Sequence, residues 1–202
     1  MLNVEVLDTA ALGDRSYVAH DGDVAVVVDP QRDLDRIEDV LKARGLRCVA
    51  VLETHIHNDY VTGGYELARR TNADYLVNAE DPVLFERHAI QDGDQRMYGS
   101  LRVTPMATPG HTVTHLSYFI EDRDGADTPA VFTGGSLLYG SVGRSDLVHP
   151  DPRSGVGLVH RWFGATGERD VVHAQPVGRG VVGALLERQL GLRDVEGGGE
   201  GE

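Results

Sequence analysis

Short apolar runs open the chain. Residues 4–7, 16–20 and 24–28 are each strand-length and rich in valine, and turn-prone Gly13-Asp14 and Asp21-Gly22-Asp23 separate them, so they predict three sheet strands. The period then changes. Leu34, Ile37, Val40 and Leu41 recur at helical spacing, with Asp33 as the expected N-cap and Gly45 as the expected stop. Residues 47–54 read as a buried strand, 64–71 as a second helix and 74–77 as a strand; further strands are expected at 101–107, 115–121 and 130–133. This order predicts one mixed α/β domain with many strands and few helices.

From residue 140 onward the texture differs, because 14 of the 25 glycines fall there and regular periodicity thins out. A helix at 181–190 is expected from Val182, Leu185, Leu186 and Leu190, and the closing GGGEGE reads as a disordered acidic tail over 193–202. Residues 1–192 are then a single domain, as 202 residues would suggest. A 41% apolar and 25% charged composition is that of a soluble globular protein. The net charge of −13 repels phosphate backbones and anionic lipid, which argues against nucleic-acid and membrane-surface partners. The longest apolar run, 24–28, is far short of the roughly 18–20 residues of a membrane helix, and MLNVEVLDTA lacks the basic flank of a secretion signal. The single cysteine, Cys48, lies in an apolar run and cannot form an internal disulfide, so a cytoplasmic location is the expectation.

Chemistry concentrates at 54–60, THIHNDY, directly after the predicted strand ending near Glu53. His55, His57 and Asp59 are two apart, and in an extended segment that period points all three the same way. Two imidazoles and a carboxylate suit zinc or non-haem iron, and a metal with an open position acidifies bound water. A second strand end, TPGHT, delivers His111. If the two strands are parallel neighbours in one sheet, His111 completes a three-histidine set.

The segments VVVDPQRDLDRI, ETHIHNDYVTGG, TPGHT and VFTGGSLLYGSVGRSDL resemble the metallo-β-lactamase superfamily, and within it the persulfide dioxygenases and glyoxalase II-type hydrolases. The resemblance covers about residues 4–148. It implies an αββα sandwich of two mixed β-sheets with helices on the outer faces and a metal site at one edge. It also implies His55, His57, His111 and Asp59 at the metal, and Arg144 near a thiol-substrate pocket, where its guanidinium would hold a glutathione carboxylate. Asp146 is expected to orient Arg144 or a turn. Two positions depart from the family pattern: Tyr60 stands where a second-metal histidine is usual, and Gly135 where a metal-bridging aspartate is usual. Beyond residue 150 the pattern fades, leaving a divergent segment or a shifted reading frame, with His173 as the nearest candidate for the late metal histidine.

Together these readings lead to an expected site with one divalent metal, Zn(II) or Fe(II), held by His55, His57 and His111. Asp59 is a base or orienter, Tyr60 a packed aromatic or a functional phenol, and Arg144 a substrate clamp or a loop-organising salt bridge. A small thiol-derived substrate is expected, hydrolysed by a metal-activated water. Persulfide dioxygenation at Fe(II) and a catalytically silent binding module are the alternatives, and a homodimer is compatible with the sequence. Among the remaining histidines, His115 is expected to be a strand residue satisfied by backbone, and His20, His88, His149 and His160 to lie on the surface.

Overall fold

The computed structural model describes residues 1–9, 14–123 and 129–136, and the backbone of 170–173 and 175–179. The expected helix at 181–190, the acidic tail, Arg144, Asp146, His149 and His160 lie outside the described residues. A six-stranded sheet takes the order β1 (Asn3–Thr9), β2 (Asp14–His20), β3 (Val24–Val28), β4 (Arg47–Leu52), β5 (Asp74–Asn78), β6 (His88–Ile90). β1, β2 and β3 pair antiparallel, whereas β3 to β6 run parallel, making this sheet mixed. Helices α1 (Asp35–Arg44) and α2 (Gly64–Thr71) supply the crossovers from β3 to β4 and from β4 to β5. The second sheet, in the order β10 (Ala130–Phe132), β9 (Leu116–Asp122), β8 (Leu101–Ala107), β7 (Arg96–Tyr98), is antiparallel throughout its described strands. A separate ribbon pairs β11 (Asp170–His173) with β12 (Gln175–Arg179).

Strand alternation sorts the apolar side chains into two cores. Val26, Val28, Ala50, Leu52 and Leu76 of the first sheet face Leu101, Val103, Tyr118, Ile120 and Phe132 of the second. The opposite face of the first sheet, through Ala25, Val27, Val51 and Val77, packs on Ile37 and Leu41 of α1 and Leu67 and Ala68 of α2. A strand buried on both faces reads as a continuous apolar run, which is why 24–28 is five valine and alanine residues. Cys48 sits on the helix-facing side, 4% exposed.

Several local expectations change. Helix α1 starts at Asp35 rather than after an Asp33 cap: Leu34 occupies the N-cap with helical dihedrals and no side-chain cap, because its own side chain is drawn into the core. Asp35 and Glu38 in the first turn favour the helix N-terminus instead. Gly45 does end α1, at φ 67°, its amide donating to Leu41 O and Lys42 O. Among the described residues no helix is long and apolar enough to cross a membrane. His20 is buried rather than superficial, since β2 has strands on both sides.

Candidate metal centre

At the ends of β3 and β4 the two sheets are stitched together around one residue, Asp29. Its backbone takes φ 48°, and its amide donates to Leu52 O at 2.9 Å. The carboxylate is buried and accepts both the Thr54 amide and the Thr54 hydroxyl at 2.7 Å. Across the sandwich the Leu116 amide donates to Thr54 O at 2.8 Å, and the Tyr118 hydroxyl donates to Glu53 O at 2.9 Å. His111 and its loop therefore reach His55 from the facing sheet. The expectation of parallel neighbours in one sheet is corrected: β4 and β8 belong to different sheets and their ends meet at the sandwich edge.

His55 stands beside two other imidazoles there. The rings of His55 and His57 have centroids 4.1 Å apart, and His111 lies 4.8 Å from His55, edge-on at 85°. Residues 53–60 bend rather than continue the strand, yet the alternation holds: His55 is buried, Ile56 is exposed, and the His57 side chain turns inward again. Because the Thr54 hydroxyl gives its hydrogen to Asp29 Oδ2, its 2.9 Å contact with His55 Nδ1 makes Thr54 the acceptor. His55 is thereby the Nδ1–H tautomer, with the lone pair on Nε2.

His57 Nε2 faces inward, 3.0 Å from the Tyr60 hydroxyl, 3.3 Å from Asp29 Oδ1 and 3.6 Å from Glu53 Oε2. Its Nδ1 faces Asp59, whose Oδ1 is 3.8 Å away on a half-exposed side chain. Tyr60 stacks on His57 with centroids 4.2 Å apart and donates to Asp29 O at 3.4 Å. Glu53 is buried, and its Oε1 accepts from Thr62 at 2.5 Å and Tyr75 at 3.0 Å.

The charges follow from this burial. Desolvation, reinforced by neighbouring His57, pushes His55 down to about 3, so it is neutral at ordinary pH. Burial and the Asp29 charge push Glu53 up to about 8. Desolvation works against ionised Asp29, but His57, His55 and the Thr54 amide together outweigh it and hold the carboxyl below its usual value; His57 is correspondingly raised by Asp29, Glu53 and Asp59 against its own burial. Burial also keeps the Tyr60 phenol protonated.

Gly135, the position of the missing aspartate, lies directly under His111. A Cβ built there would stand 2.6 Å from His111 Nε2 and 2.8 Å from its Cγ, so the imidazole fills the space that a side chain would need. His115 is not held by backbone as expected. It is buried just before β9, stacks on His55 at 5.1 Å, and shares a 2.9 Å bond between its Nδ1 and the Thr108 hydroxyl. His173 ends β11. Sequence reasoning missed Asp29, Glu53 and Thr54 as site residues. The sequence marks Asp29 by its place between a five-residue buried strand and Pro30, which does not reveal its partners.

Comparison with known proteins agrees with the fold. The family model described as the metallo-beta-lactamase superfamily matches residues 14–170. A hydroxyacylglutathione hydrolase of Prochlorococcus marinus (strain MIT 9303) is 35% identical over 127 residues, 61% of this chain and 48% of that protein. One of Methylobacillus flagellatus is 32% identical over 143 residues, 69% of this chain and 54% of that protein. The chain thus spans about half the length of the curated relatives it matches. In solved structures, ETHE1 from Myxococcus xanthus superimposes with a TM-score of 0.73 at 23% identity, covering 93% of this chain and 82% of that one. TTHA1623 in a di-iron-bound form gives 0.66 at 22% identity, covering 86% and 94%.

Proposed function

The chain belongs to the metallo-β-lactamase superfamily, and from that premise we propose that it is a metal-dependent hydrolase of a small thiol-derived substrate of the glutathione thioester type. One divalent metal, Zn(II) in the simplest case, would be held by His55, His57 and His111. The observation that carries this is the contact of His55 with both His57 and His111, with His55 tied back through Nδ1 and His57 backed at Nε2. Partners behind one nitrogen that leave the other facing a common point are how ligating histidines are oriented. A neutral His55 also meets the need for a deprotonated ligand. Asp29, Glu53 and His57 have ligand-type atoms within 4.8 Å of one another and are an alternative cluster. Its carboxylates lie behind His57, on the edge away from Asp59, and are read here as supports.

A metal held by these residues would supply Lewis-acid polarisation of the thioester carbonyl and a water that loses its proton readily. Asp59, half-exposed on the Nδ1 side of His57, is the candidate base for that water. Water adds to the carbonyl carbon, the C–S bond breaks, and the released proton reaches the departing thiolate, giving a carboxylic acid and a thiol. Arg144 is proposed to hold a carboxylate of the thiol carrier. The relatives named hydroxyacylglutathione hydrolase support this substrate class.

Persulfide dioxygenation at Fe(II) is the second reading, favoured by the resemblance at 131–147 and weakened by Gly135, which supplies no carboxylate. The test is metal analysis of protein grown with zinc or iron, together with release of free thiol from a hydroxyacylglutathione and oxygen uptake with glutathione persulfide. The hydrolase reading expects bound metal and thiol release, both lost in His111→Ala. Oxygen uptake by the iron form alone selects the dioxygenase. Metal-free protein from both sources selects a silent member acting as a binding module.

A further inference from the structure

Tyr60 makes a contact that thioester hydrolysis does not use. Three groups face His57 Nε2, and the Tyr60 hydroxyl is the nearest, at 3.0 Å, with Asp29 Oδ1 at 3.3 Å and Glu53 Oε2 at 3.6 Å. The phenol directs its own hydrogen toward Asp29 O, 3.4 Å away. It therefore has lone pairs to offer and accepts from Nε2. The same logic runs through Thr54, which accepts from His55 Nδ1 and donates to Asp29 Oδ2.

We propose that Tyr60 is a positioning residue for the metal centre: its hydroxyl takes the Nε2 hydrogen of His57 and relays to Asp29, fixing the tautomer whose Nδ1 lone pair faces outward. Thr54 and Tyr60 are then paired hydroxyl relays, one per imidazole, both ending on the residue that closes β3. They set opposite tautomers, Nε2 free on His55 and Nδ1 free on His57, so that the proposed metal would take one lone pair from each ring. A residue that in the resembling family serves a second metal here serves the first one, through His57. Nothing in this role requires Tyr60 to touch substrate. The inference rests on the proposed three-histidine metal site.

Tyr60→Phe keeps the ring and removes only the oxygen. Two measurements are made on the full chain: the affinity for Zn(II) or Co(II), and the tautomer of His57 read from its ring nitrogens by NMR in metal-free protein at alkaline pH, where the ring is neutral. Val61→Ala, in an exposed side chain of the same loop, controls for loop disturbance. Tyr60→Phe is expected to bind metal about 10–100-fold more weakly at unchanged stoichiometry, and to shift His57 from one Nε2–H form to a mixture. Val61→Ala is expected to change neither. Wild-type affinity together with a wild-type tautomer in Tyr60→Phe overturns the proposal while leaving the hydrolase reading intact. Failure of the wild type to bind metal removes the hydrolase reading and the affinity arm, and an unchanged tautomer in Tyr60→Phe then overturns the relay.

Discussion

Gly135→Ala isolates the closest contact in the candidate centre. Gly134 sits at φ 48°, whereas Gly135 has no left-handed backbone, so alanine there costs nothing in dihedral strain. The whole effect falls on His111, whose Nε2 and Cγ would lie 2.6 and 2.8 Å from the new methyl, well inside the 3.4 Å at which ordinary contact begins. Overpacking of this size costs about 1–3 kcal/mol, or about 2–12 °C of melting temperature for a chain of this length. Where the ring shifts aside in metal-free protein, the loss belongs at the lower end. A metal bound to His111 removes that escape, and each tenfold loss of affinity takes away about 1.4 kcal/mol of ligand stabilisation. Thermal unfolding with Zn(II) and with chelator should therefore show a larger Gly135→Ala shift in the metal-loaded protein. Gly135→Asp should behave the same way, raising no second metal, because its Cβ meets the same ring. Equal shifts with and without metal would refute the placement of His111 at the metal.

Asp29→Asn should destabilise by about 2–4 kcal/mol in urea unfolding, since the two Thr54 donors go to different carboxylate oxygens and an amide sets its NH2 against one of those donors in a buried site; a change below about 0.5 kcal/mol would mean that the network is slack. Asp21 accepts the amides of Asp23, Val24 and Ser100, joining the β2–β3 turn to the β7–β8 turn. Burial pushes its carboxyl up, but those amides outweigh it and hold it below the usual 3.8. A depressed carboxyl stabilises above its unfolded value and loses that contribution as pH falls. The gap in urea midpoint between wild type and Asp21→Ala should accordingly be open at pH 7 and close toward pH 3; a gap independent of pH counts against it. Burial raises the Cys48 thiol to about 11, so a thiol reagent at pH 8 should leave native protein unlabelled and label one site after denaturation.

The strands legible in the sequence are those whose residues repeat a burial pattern. Val24–Val28 announces itself because both faces are covered, and the 101–107 and 130–132 runs because apolar side chains fill the space between the sheets. β6 and β7 are three residues long, with largely exposed side chains, and present no run to recognise. Their pairing is decided by neighbours rather than by local preference. The Asp33 cap failed for a related reason, since burial of Leu34 set the helix start and local cap chemistry yielded to it. At the centre, His55, His57 and His111 were legible as residue types at strand ends. Which strand ends meet was not, because adjacency across a sandwich depends on how two sheets close over one core.

Asp29 was illegible for a different reason, and it is the residue on which the arrangement turns. Its side chain does nothing that an isolated aspartate before a proline could reveal; its role exists only once Thr54 and His57 have been brought to it by β4. One carboxylate and one carbonyl of the same residue receive the hydrogens of two hydroxyls, and those hydroxyls receive the hydrogens of two imidazoles. Tyr60 and Gly135, which look like losses beside the family pattern, both act on this cluster: the first adds a hydroxyl behind His57, the second clears the volume in which His111 sits. On the proposed three-histidine site the two departures have a single reading: one sets a hydroxyl beside His57, and the other leaves the room that His111 occupies.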